Sequence, residues 1–142
     1  MALTTFGAIM GFAAAMVRRG EEIYREAVQS AKDPALRDAL QDLLAEEAKN
    51  HTLMETARRE HVTEMILEPI TGLRQEDYEV EVEVPKGGGE ADLLKIALSL
   101  EEKEMKYFSD CSAKIPLPEV ARIFRKVARK KEFNLKRLRE LR

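Results

Sequence analysis

The sequence predicts an all-α protein, a bundle of four helices paired as two hairpins across a long middle connection. Three observations lead there. Apolar residues recur at helical spacing in four separate stretches, proline marks the joints at Pro34, Pro69, Pro116 and Pro118, and the helical period vanishes between Glu68 and Glu90. The chain has 142 residues, a length that favours one domain, residues 1–142, able to bury a core without disulfides.

The first helix is expected from about Thr5 to Ala31, with Phe6, Ile9, Ala13, Met16, Val17, Gly20, Ile23, Tyr24, Ala27 and Ala31 inward. The run from Met1 to Val17 carries no side-chain charge. The cations Arg18 and Arg19 follow this run instead of preceding it, and glycines and threonines interrupt it, so a buried helix is expected, neither a signal peptide nor a membrane span. Lys32-Asp33-Pro34 ends it, with Asp33 as N-cap and Pro34 as the opening residue of the second helix, expected to reach about Leu67. The inward stripe there reads Leu36, Leu40, Leu43, Leu44, Glu47, Ala48, His51, Met54.

In the connection, Tyr78 to Val84 alternates strictly, with Val80, Val82 and Val84 on one side and Glu79, Glu81 and Glu83 on the other. That is a strand period; a lone strand must pair or remain irregular. Gly87-Gly88-Gly89 is followed by Glu90 and not by a lysine, so it reads as a linker and not a phosphate loop. A connection this long can cross the bundle and give an up-down-down-up order. The third helix is expected from Ala91 to about Ser112, with Leu94, Ala97, Leu98, Glu101, Met105, Phe108 and Cys111 inward. The fourth runs from Pro118 to about Leu141, with Val120, Ile123, Phe124, Val127, Lys131, Asn134, Leu135 and Leu138 inward. The hairpins echo each other: Leu44-Ala45-Glu46-Glu47 corresponds to Val127-Ala128-Arg129-Lys130.

Composition narrows the function classes. A net charge of −2 argues against a general binder of nucleic acid or anionic membrane, and the basic run from Arg122 to Arg142 reads mainly as a solvated helical face. Cys111 is the single cysteine, which excludes an intrachain disulfide and a four-thiolate iron site and makes the cytoplasm the expected location. No Ser-His-Asp set or CxxC motif is present.

Two hairpins with a long crossover resemble the ferritin-like superfamily, and within it the rubrerythrin-like di-iron carboxylate group. The resemblance covers nearly the whole chain. It implies a Glu in the first helix of each hairpin, seven residues before an aromatic, and a Glu-x-x-His in the second, converging on an iron or manganese pair. Set on this sequence, the pattern puts Val17 seven residues before Tyr24 in place of the first Glu. In the second helix Ala48 takes the Glu place and His51 matches the His. Glu101 stands seven residues before Phe108 and matches, and Glu104 fits an additional acid of rubrerythrins proper. In the fourth helix, Lys131 and Asn134 stand where Glu and His belong.

Of six implied ligand positions, His51 and Glu101 remain. The candidate metal residues are therefore His51, Glu101, Glu104 and Glu47, beside the replaced positions Val17, Ala48, Lys131 and Asn134. Two classes of function follow. One is a non-catalytic structural or binding protein with a degenerate di-metal site and no cofactor. The other is a rubrerythrin-like oxidoreductase using iron or manganese through a non-standard ligand set. A buried carboxylate in a metal-free bundle needs a counter-charge, which Lys131 can supply to Glu101, unless it extends outward to solvent. A homodimer is expected from the uncharged run up to Val17 and from the Val80-Val82-Val84 edge; neither nucleic acid nor membrane is expected as a partner.

Overall fold

The computed structural model of the chain describes residues 1–61 and 70–141. Its elements are α1 (Phe6–Ser30), α2 (Pro34–Glu60), a short 3-10 turn (Gln75–Asp77), α3 (Glu90–Ser112) and α4 (Pro118–Arg139). The expected end of the second helix, from His61 to Leu67, falls almost entirely outside the described residues. Both helices of the first hairpin begin with local chemistry. Thr5 caps α1 by accepting from the Ala8 amide at 3.0 Å, and Asp33 caps α2 by accepting from the Leu36 amide at 3.0 Å, with Pro34 supplying a fixed φ in the first turn. Caps of this kind contribute about 1 kcal/mol each.

α1 packs chiefly on α2, and α3 on α4. The Tyr107 hydroxyl, late in α3, donates to the Ile9 carbonyl, early in α1, at 2.6 Å. At the opposite end, Glu90 at the start of α3 accepts from the Lys32 and Asp33 amides just after α1. α1 and α3 therefore run antiparallel, and the order is up-down-down-up. The two hairpins are also related by sequence offset. α1 and α3 open at Phe6 and Glu90, and α2 and α4 open at Pro34 and Pro118; both pairs are 84 residues apart, the same interval that separates Glu47 from Lys131. The repeat frame is thus one residue away from the Leu44/Val127 pairing suggested by the sequence.

The core divides into two apolar clusters. One lies at the end shared by the starts of α1 and α4 and the ends of α2 and α3, and holds Ile9, Met10, Val17, Met54, Tyr107, Phe108, Cys111 and Phe124. Its rings meet edge-on, with Phe108 and Phe124 centroids 4.9 Å apart. The other, at the opposite end, holds Ile23, Ala27, Leu36, Leu40, Leu93, Ala97, Leu100 and Leu135. Cys111 is fully buried, and burial pushes its thiol up to about 12, which suits a small core residue and not a nucleophile.

The alternating segment before Pro85 is not a strand, and no strand occurs among the described residues. The alternation nonetheless sets its sides: Val80, Val82 and Val84 are half-buried against the Leu36/Leu40 cluster, while Glu79, Glu81 and Glu83 are exposed. Side chains stand in for the missing ladder. Arg19 donates to the Val82 carbonyl at 3.5 Å, Lys103 to the Asp77 carbonyl at 3.0 Å, and the Tyr78 hydroxyl to Asp110 at 2.7 Å. The N-terminus closes the other end through an isolated bridge between Ala2 and Arg74. The chain itself buries Phe6, Ile9, Met10, Ala13, Ala14, Met16 and Val17, so both apolar features behind the expected homodimer are largely used within one copy. Among the described residues no helix is long and apolar enough to cross a membrane.

Candidate functional site: a buried lysine among three glutamates

A polar belt separates the two apolar clusters, and Lys131 is its centre. Its side chain is 0% exposed, as are those of Glu47, Glu101 and Glu104. The ammonium lies 2.8 Å from Glu47 Oε1, 3.1 Å from Glu101 Oε2 and 3.6 Å from Glu104 Oε1. Each carboxylate arrives by helix geometry. Glu101 and Glu104 are three apart on α3 and share its inner face, Glu47 comes from α2, and Lys131 faces both from α4. The lysine does not extend to solvent, and its contact with Glu101 is one member of a three-carboxylate cluster.

Further donors hold the carboxylates in place. The Tyr24 hydroxyl donates to Glu101 Oε2 at 2.7 Å, and the Asn134 amide donates to Glu101 Oε1 at 2.8 Å and Glu46 Oε2 at 2.5 Å. The Asn50 amide donates to Glu47 Oε1 at 3.3 Å. α1 contributes space: a Cβ on Gly20 would collide with Glu47 Oε2 and come within 3.1 Å of Glu104 Oε2. Three oxygens, Glu47 Oε2 and both of Glu104, have no conventional hydrogen-bond partner.

Charge balance gives those oxygens a role. Three carboxyl groups share one ammonium, so full ionisation would leave two negative charges uncompensated in a dry interior. Burial, and then the adjacent Glu47 carboxylate, holds Glu104 well above the ordinary carboxylate range. That shift favours the neutral form of Glu104, which reduces the uncompensated charge. Burial also raises Glu101, although Lys131 opposes that shift. Burial works against the charge on Lys131, but Glu101, Glu104 and Glu47 outweigh it and hold the ammonium well above the ordinary lysine range.

A pH prediction follows from Glu104. A carboxyl raised in the folded state stabilises fully below its unfolded value of about 4.3, and that contribution is lost as pH rises towards the folded value. Glu104→Gln keeps a neutral donor and removes the titration. Its stability relative to wild type should therefore improve as pH rises above about 4.3 in denaturant titrations; a difference that stays constant with pH would show Glu104 already ionised.

The structure sorts the sequence-derived candidates. Glu47, Glu101 and Glu104 come together, around Lys131. His51 does not join them: it is one-third exposed on the outer side of α2, with Nδ1 3.8 Å from Glu21 Oε2. Ala48 likewise sits off-centre and half-buried. The inward positions on α2 are Glu47 and Asn50, the 84-residue counterparts of Lys131 and Asn134. Val17 and Gly20 correspond to Glu101 and Glu104 in the same frame, and Tyr24 to Phe108; all of these are buried. Sequence reasoning missed Asn50 and the roles of Gly20 and Tyr24, and the Pro34/Pro118 offset was the signal that pairs them. Among the described residues, no group of three or more His, Cys, Asp or Glu side chains is arranged to hold a metal ion.

Comparisons of the chain with protein-family models, with curated proteins and with solved structures find no match.

Proposed function

We propose that this chain is a non-catalytic bundle of the ferritin-like, rubrerythrin-related kind, a structural or binding protein in which the Lys131 ammonium stands where that family places metal. The observation that carries this reading is the position of Lys131 Nζ, within 3.6 Å of Glu47, Glu101 and Glu104 at the middle of the bundle. In the 84-residue frame the retained ligand-type acids are Glu47 and Glu101, and Asn50 and Asn134 occupy the two histidine places. The residues present do not fit a metal pair: a fixed cation fills the space between the carboxylates, and no imidazole points in. One ammonium neutralises part of the charge that two metal ions would, and protonation of Glu104 removes more.

The alternative is an oxidoreductase with a non-standard iron or manganese site. It would draw on the unpartnered oxygens of Glu47 and Glu104, and it requires Lys131 to vacate the centre. Lys131→Glu separates the two. The variant presents four buried carboxylates, so it should be less stable than wild type without metal and should gain several degrees in Tm with Mn2+ or anaerobic Fe2+. Wild type should show no such gain. A metal-dependent gain in wild type would support the oxidoreductase reading, and no gain in Lys131→Glu would contradict the claim that the centre is a former metal site.

A further inference from the structure

A different part of α4 carries a second feature. This helix holds nine cationic residues and two acids, while the whole chain has a net charge of −2. Lys131 is internal, Arg137 pairs with Asp42 at 2.7 Å, and Arg139 pairs with Glu102 at 3.7 Å. Arg122, Arg125, Lys126, Arg129 and Lys136 are exposed and form no ion pair with any described residue. Several are three or four positions apart, where like charges disfavour a helix. Arg122, Lys126, Arg129, Phe133 and Lys136 follow one another at alternating spacings of four and three, a single outward stripe about 21 Å long at ~1.5 Å per residue. Phe133, within it, is 61% exposed, and Lys130 Nζ lies 4.9 Å from its ring centroid. Beside the stripe, a cleft of about 720 Å3 between α3 and α4 is lined by five cations, Lys106, Arg125, Arg129, Lys136 and Arg139, and by two acids, Asp110 and Glu132.

We infer that the outer face of α4 binds single-stranded nucleic acid, with the cations following the phosphates and Phe133 offering a stacking platform for a base. Unpaired cations in a row supply the polyanion attraction, and an exposed aromatic among them supplies a contact that phosphate alone does not use. The negative remainder of the protein repels nucleic acid and confines it to this face, which is why net charge alone gives the opposite expectation. An anionic membrane is less well matched, because Phe133 is the one large apolar side chain exposed on α4.

The test is fluorescence anisotropy of the full chain with a labelled mixed-sequence oligonucleotide of about 20 nucleotides across a salt series. Wild type should bind, more weakly as salt rises. Phe133→Ala should weaken binding about 5- to 100-fold with an unchanged salt slope, and Arg122→Glu with Arg129→Glu should weaken it and flatten the slope. Lys86→Glu, on the crossover, should have no effect. The inference is overturned if wild type does not bind, if Phe133→Ala leaves affinity unchanged so that only charge attraction remains, or if vesicles containing phosphatidylserine are bound through Phe133 and the oligonucleotide does not compete.

Discussion

Replacing Lys131 with methionine is expected to destabilise the protein by roughly 3–5 kcal/mol, the usual effect of stranding buried charge. The stem of the side chain would still be filled; only the ammonium is lost. Glu47 and Glu101 would then face each other and Glu104 with no counter-charge inside 4 Å, held by Tyr24, Asn50 and Asn134 alone. For a chain of this length the loss corresponds to a fall of roughly 10–17 °C in Tm. Adding Glu101→Leu alone should recover only part of it, because the Glu47/Glu104 pair would still carry a buried charge without its ammonium. Adding Glu47→Leu, Glu101→Leu and Glu104→Leu together should recover most of it, since a hydrophobic set of similar volume avoids the desolvation that offsets the attraction. A loss of a few tenths of a kcal/mol in Lys131→Met, read by urea denaturation, would place the ammonium outside the core.

The second large effect is expected at Gly20. An exposed Gly→Ala change inside a helix ordinarily stabilises by about 1 kcal/mol. Here the added methyl lands on Glu47 Oε2, the end of a side chain pinned by Lys131 and Asn50. The carboxylate cannot move without lengthening its bond to Lys131, so overpacking should outweigh propensity and leave Gly20→Ala about 1–3 kcal/mol less stable. Thermal melts of Gly20→Ala beside Gly7→Ala give the contrast, because a methyl at Gly7 meets nothing within 4 Å. A stabilised Gly20→Ala would mean that Glu47 has room to turn elsewhere.

The four helices were legible because apolar period and proline joints are local signals. Every inward residue expected on the first helix, from Phe6 to Ala31, is buried. Lys131 was legible for the same reason: a lysine amid Val127, Asn134 and Leu138 has to face in. His51 misled because Glu47 and His51, four apart, share a helix face as readily as Glu47 and Asn50, three apart. Which polar residue points in depends on how α2 is rotated against its neighbours, and no local pattern records that. The acid cluster itself was half legible. Glu101 and Glu104 carried a spacing signal, whereas the space that Gly20 provides depends on a distance across the bundle. The valine alternation correctly assigned sides in the crossover, but a hydrogen-bonded ladder needs a partner strand, and the chain supplies Arg19 and Lys103 instead.

The stoichiometry of bound metal tests most directly whether an ammonium has taken the place of metal at the bundle centre. Protein expressed with added iron and manganese, purified without chelator and analysed by elemental mass spectrometry, should carry far less than one ion of either metal per chain. About two ions per chain, the complement of a di-metal carboxylate site, would mean that Lys131 yields the centre to metal and would contradict the account.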